Sequence, residues 1–162
     1  MQSGIWTLRI LAASLAITPL RRLTGWNWLI RYRRPIGLFA FFYAILHIVT
    51  YIWLDKVFAW GDMWEDVTKR KYIIVGTLAL LCLIPLALTS TKGWIRRLGK
   101  RWTLLHRLVY AAAILATVHY LWAVKKDTTL PLIYLAIFAA LLGFRVVTWL
   151  NGRRKQHARA IG

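Results

Sequence analysis

Along the chain, long apolar runs alternate with short stretches crowded with arginine and lysine. Five runs stand out, at residues 5–20 (interrupted by Arg9), 36–54, 72–88, 104–124 and 130–150. A hydrocarbon core about 30 Å thick takes roughly 17–25 residues of helix at about 1.5 Å each. Periodicity alone does not separate a membrane helix from a buried soluble one, but length and flanking charge do. The pattern predicts an all-α, polytopic integral membrane bundle of five spans. The first and third are the shortest, and are read as tilted, partly interfacial or starting earlier than marked. No repeat, low-complexity stretch or Gly/Ser linker divides the sequence, so residues 1–162 read as a single transmembrane domain.

Composition supports this. Apolar residues make up 59% of the chain and charged residues 17%, against about 45–50% and about 25% in soluble domains. A soluble domain of 162 residues keeps too much surface in water to hide so large an apolar fraction. The lone Cys82 excludes a disulfide framework, a CxxC redox pair, a cysteine-ligated iron–sulfur cluster and c-type haem attachment.

Charge then fixes orientation. The net charge is +18. Arg21, Arg22, Arg31, Arg33 and Arg34 follow the first run. Lys92, Arg96, Arg97, Lys100, Arg101 and Arg107 lie between or just inside the third and fourth, and Arg145, Arg153, Arg154, Lys155 and Arg159 close the chain. No acid falls among them. All five acids (Asp55, Asp62, Glu65, Asp66 and Asp127) sit in the other two loops with Lys56, Lys69, Arg70, Lys71, Lys125 and Lys126. The positive-inside rule puts loops 21–34 and 92–101 and the C-terminus in the cytoplasm, and loops 55–71 and 125–129 outside with the N-terminus. All ten tryptophans fall at or beyond run ends, as an interfacial belt does. The basic loops also favour anionic lipid. Spread over three tethered loops, they form no nucleic-acid module.

Ionisable groups inside a membrane span are costly and mark function by default. Three are histidines: His47, His106 and His119. Counted from Asp55 and Lys125, His47 and His119 lie about 12 Å and about 9 Å from the outer ends of their helices. Both helices run outward, so the two imidazoles arrive at one level, the ligand set of a six-coordinate b-type haem. Zinc is disfavoured because no Cys, Asp or Glu is near to complete four ligands. His106, thirteen residues before His119, falls about 140° away around an ideal helix. Facing the second span would take an overwound or bulged helix, and Arg33 and Arg34 stand where a partner histidine would be. Its readings stay open: a second haem ligand, a contact for quinone or flavin, or an interfacial hydrogen bond. Arg107 and Arg145 read as snorkelling, with haem propionate or phosphate as alternative partners. His157 reads as solvated. Phe39, Phe41, Phe42 and Tyr43 read as lipid-facing rather than as a porphyrin wall. Gly76, Gly143 and Pro85 are ordinary membrane-helix residues.

The segments ITPLRRL (17–23), RRPIGLFAFFYAILHIVTYIWL (33–54), LALTSTKGWIRRLGKRWTLLHRLVYAAAILATVHYLWAVK (86–125) and PLIYLAIFAALLGFR (131–145) resemble the MsrQ (YedZ) family of the ferric-reductase-like transmembrane superfamily. The likeness covers nearly the whole chain. It implies a bacterial inner-membrane cytochrome b with haem b (one, with a second in reserve) and FMN. Electrons would come from the quinone pool or a cytoplasmic flavin reductase and pass to the periplasmic molybdopterin subunit MsrP, which reduces oxidised methionine. The family histidines fall on His47, His119 and His106, the first two as axial iron ligands and the third as a further candidate ligand. The family usually carries one more span ahead of the first one here. The rival readings are a cytochrome b subunit for another acceptor, such as a ferric reductase, and a haem-free assembly factor or transporter.

Overall fold

The computed structural model describes the backbone of residues 2–161, and the side chains of residues 2–154 except residue 55. The placement of His157 in solvent, and the side chains of Lys155 and Arg159, therefore fall outside the described residues. The described residues form eight helices: α1 (Gln2–Thr24), α2 (Arg33–Thr50), α3 (Trp60–Lys69), α4 (Lys71–Leu88), α5 (Lys92–Leu98), α6 (Lys100–Leu105), α7 (Leu108–Ala123) and α8 (Thr129–Ile161). A 3-10 turn, Asn27–Tyr32, leads into α2, and a π-turn, Tyr51–Asp55, leads out of it. No strand occurs among the described residues. Among the described residues, five segments are long and apolar enough to cross a membrane: Gln2–Thr24, Asn27–Leu54, Lys71–Leu88, Lys100–Ala123 and Thr129–Arg154. The protein is a membrane helix bundle.

Two helix pairs dominate the packing, α1 along α2 and α4 along α7. Ala40, Ala112 and Ala113 are fully buried, and small residues let membrane helices approach closely where lipid gives no hydrophobic drive. Leu8, Leu11, Leu15, Tyr134 and Phe138 complete the core between α1, α2, α7 and α8. Large apolar side chains elsewhere face outward, Phe39, Phe42, Leu78 and Leu81 among them, as a lipid-facing surface requires. Span hydroxyls return to their own helix, as when buried Thr117 donates to the Ala113 carbonyl at 2.8 Å. That satisfies a donor where no water reaches.

The helices differ from the sequence-based spans where chemistry intervenes. The fourth run is not one helix. Between α6 and α7 the Arg107 amide bonds to the Leu104 carbonyl and the Tyr110 amide to that of Arg107. Residues wound at three per turn each advance about 20° further than α-helical ones. The overwinding that His106 needs to turn toward α2 is thus present. Arg145 does not snorkel. It turns inward, donating to the Leu15 carbonyl at 3.0 Å, to Thr18 Oγ1 at 3.2 Å and to the Tyr110 hydroxyl. Pro19 explains the first contact: lacking an N–H, it leaves the carbonyl four residues back, that of Leu15, without its helical donor.

At the end that carries the acids, α3 is pinned by Asp66, which is buried. The carboxylate accepts from Tyr51 Oη at 2.8 Å, and pairs with Lys56 Nζ at 2.5 Å and Arg70 Nε at 2.8 Å. The Lys56 ammonium holds the carboxyl below the usual carboxylate range. Burial opposes this, and Tyr51 and Arg70 reinforce it. A depressed folded pKa stabilises the fold fully above the unfolded value, about 3.9 for Asp, and the gain is lost as pH falls through the folded value. The difference in thermal midpoint between the native chain and Asp66→Asn in detergent should thus stay constant from pH 8 to 5 and close only below about pH 4. A difference that closed near pH 6 would contradict this account.

Candidate functional site

The His47 and His119 rings face each other with centroids 6.2 Å apart and planes 70° from parallel. His47 belongs to the α1–α2 pair and His119 to the α4–α7 pair, so the rings meet where the two pairs close on one another. Each ring lies against a glycine of its partner helix. A Cβ built on Gly76 would sit 2.6 Å from His119 Nδ1, and one on Gly4 would sit 3.2 Å from His47 Cε1.

Gly76 stands one helical turn after Tyr72, so its missing side chain opens a path to the Tyr72 carbonyl. His119 Nδ1 takes that path and lies 2.6 Å from the Tyr72 oxygen. With a carbonyl as partner, Nδ1 carries the proton, and Nε2 is the nitrogen with a lone pair to give. On the other ring, Ser3 Oγ lies 3.4 Å from His47 Nδ1. Metal-ligating imidazoles are held in this way, one nitrogen fixed by a protein partner and the other on the metal.

The donor set tests which metal group fits. Two imidazole–metal bonds of about 2.0–2.1 Å plus two ring radii span roughly 6 Å, and the rings are 6.2 Å apart. Among the described residues no cluster of three or more His, Cys, Asp or Glu occurs, so a tetrahedral protein-only site is not built here. Two imidazoles, each packed against a glycine, fit an iron whose remaining positions a macrocycle fills.

His106 lies apart, in the other half of the bundle. It stacks on Trp102 at 3.9 Å with ring planes 28° apart, and its Nδ1 is 3.1 Å from the Trp102 carbonyl. Trp102 is itself held by Nε1 donating to the Thr89 carbonyl at 2.9 Å. The ring borders a cavity of about 460 Å³ between α2, α4 and α7, lined also by Arg33, Arg34, Arg107, Phe41 and Leu83. Phe41 therefore faces inward, while Phe39 and Phe42 face lipid. The charges of Arg33 and Arg34 act on His106, and Arg33 and Arg145 repel each other across Tyr110. Arg34 donates to the Ser90 carbonyl, but Arg34 Nε and Arg145 Nε are buried without a partner. The ion pairs among the described residues all lie in the loop at the other end. This cavity is cationic and lacks a carboxylate of its own.

A family profile described as ferric reductase like transmembrane component matches residues 3–117. A protein-methionine-sulfoxide reductase heme-binding subunit MsrQ from Rhodospirillum rubrum is 54% identical over 156 residues, 96% of this chain and 75% of that protein. The proteins of the same name from Herminiimonas arsenicoxydans and Xanthomonas campestris pv. campestris are 53% and 51% identical. They cover 98% and 94% of this chain, and 74% and 70% of their own lengths. The chain belongs to the MsrQ family. No solved structure matches it.

In this MsrQ-family chain the three histidines singled out by depth fall into two places, His47 with His119 and His106 apart from both. Their supports, Ser3, Gly4, Tyr72, Gly76 and Trp102, were not visible as site residues in the sequence. The available signal was Gly76, a residue without a side chain one turn past an interfacial tyrosine in a run of large apolar residues.

Substituting Gly76 separates packing from propensity. Alanine is worth about 1 kcal/mol over glycine in a helix, so α4 itself gains. The added methyl collides with the imidazole, at an overpacking cost of about 1–3 kcal/mol. Gly76→Ala should therefore reduce Soret absorbance per purified chain severalfold, with Gly4→Ala milder because its contacts are looser. Equal, undiminished absorbance in both would show that the cradles are incidental.

Proposed function

We propose that this chain is the haem-binding membrane subunit of a methionine-sulfoxide reductase system and carries electrons outward across a bacterial inner membrane. The reading rests on one observation above all: two imidazoles from separate helix pairs, 6.2 Å apart, each with Nδ1 beside a protein oxygen. His47 and His119 are the residues that would hold haem b. Similarity to proteins named as MsrQ heme-binding subunits supports haem as the group bound.

Bound between them, the haem would supply an iron that accepts and releases single electrons with no substrate bond made or broken. The polypeptide does the rest. The Tyr72 carbonyl fixes the His119 tautomer, and the Ser3 hydroxyl lies beside His47 Nδ1. On the cytoplasmic side, His106 and the arginines of the cationic cavity would hold an entry cofactor. Acidic groups, such as the propionates of a second haem or the phosphate of FMN, would pair with guanidiniums that have no carboxylate partner. Quinol in the bilayer or a cytoplasmic flavin reductase is the donor, and the basic loops rest on anionic lipid. The acceptor is an MsrP-like periplasmic molybdopterin subunit docking over α3, where Trp60 and Trp64 are exposed.

The absorption spectrum of the purified chain tests this. It should show low-spin b-type bands that His47→Ala and His119→Ala each abolish, while His106→Ala spares the outer signal and removes at most a second component. A colourless native preparation would overturn the proposal. Adding the purified molybdopterin subunit with methionine sulfoxide should speed reoxidation of the dithionite-reduced chain at least tenfold. No acceleration would exclude that acceptor and favour another oxidoreductase.

A further inference from the structure

We propose that Asp66 is a positioning residue for both haem-ligand histidines, tying the helix end beyond His47 to the helix turn that holds His119. The inference rests on the bis-histidine reading above. Its basis is a chain of contacts running from one carboxylate in two directions.

The first arm reaches α2. Asp66 accepts from the Tyr51 hydroxyl at 2.8 Å. Tyr51 stands one turn beyond His47, and its amide donates to the His47 carbonyl. Here the helix widens into the π-turn, a local departure that often marks functional positions, and Lys56 at its far end also bonds to Asp66. The second arm reaches α4. Asp66 pairs with Arg70 Nε at 2.8 Å, and Arg70 Nη1 donates to the Tyr72 hydroxyl at 3.1 Å. The carbonyl of that same Tyr72 receives His119 Nδ1, and its ring lies 6.1 Å from the His119 ring. Each arm thus ends on the residue that sets the height or tilt of one imidazole.

Such a carboxylate acts on the site without touching it. The partner on the second nitrogen of a ligating imidazole tunes the basicity of the first, so a shift of Tyr72 alters His119 as a ligand. A shift of Tyr51 alters the helix end that carries His47. A purely structural staple would change melting alone. A positioning residue changes the electronic state of the metal centre in a folded, fully loaded protein.

The experiment uses the full chain, haem-loaded, in nanodiscs, comparing the native protein with Asp66→Asn, Asp66→Glu, Tyr51→Phe and Arg70→Gln. At unchanged haem per chain, Asp66→Asn should shift the haem reduction equilibrium at least threefold, about 28 mV at about 59 mV per decade for one electron. It should also change the anisotropy of the low-spin EPR signal, which follows the angle between the two imidazole planes, and Asp66→Glu should restore both. If Asp66→Asn fails to load haem, the single-arm variants decide: shifts in Tyr51→Phe and Arg70→Gln support the inference, and native behaviour in both overturns it. Native potential and EPR in loaded Asp66→Asn overturn it as well. A native chain with no low-spin haem signal would instead bring down the bis-histidine reading itself, and this inference with it.

Discussion

A ring nitrogen with a proton has no place in hydrocarbon unless some protein oxygen takes that proton, and much of this fold follows from that need. Helical carbonyls are already engaged along their own helix, and side chains screen them from neighbours. Leaving a buried donor without a partner costs about 1–3 kcal/mol. In α4 the screen is missing at Gly76, so His119 reaches the Tyr72 oxygen at 2.6 Å. The contact holds α4 and α7 at close range and sets which imidazole nitrogen is left for a metal. The α1–α2 pair repeats the device with Gly4 and Ser3 against His47. The two rings are thereby brought to 6.2 Å from each other.

The two ends of the bundle solve the problem of charge differently. At the end that carries the acids, Asp66 gathers Lys56, Arg70 and the Tyr51 hydroxyl into a self-contained cluster. At the opposite end Arg33, Arg34 and Arg145 converge with buried guanidinium atoms lacking partners. Buried charge without compensation is expensive, and the helices there offer only carbonyls and hydroxyls. The acidic end is complete without an added anion. The opposite end calls for a molecule that brings its own negative groups.

Features that depend on counting along one helix were legible in the sequence. The spans and the common depth of His47 and His119 follow from rise per residue and apolar length. Features that depend on a second helix were not. Arg145 reads as a snorkelling residue until Pro19, 126 positions earlier in the chain, frees the Leu15 carbonyl for it. His106 reads as misdirected on an ideal helix, because the tightened turn at residues 104–110 has no proline or glycine within it. Gly76 was dismissed because glycine is common in membrane helices, although its position opposite an imidazole gives it a specific task. In each case the deciding partner was remote in sequence.

The two imidazoles are not held equally, and the difference has a physical use. His119 is fixed by a carbonyl at 2.6 Å with no slack against Gly76, whereas Ser3 lies 3.4 Å from His47 and the Gly4 contacts are ordinary to tight packing. Ser3 and Gly4 lie on α1 and make the longer of the two sets of contacts. Tyr72 and Gly76 are instead braced by α3 through Arg70. A planar group wider than the gap between helices enters only if one wall yields, and binds in a defined geometry only if the other does not. The 2.6 Å contact between His119 and Tyr72 makes the α4–α7 wall the unyielding one for such a group.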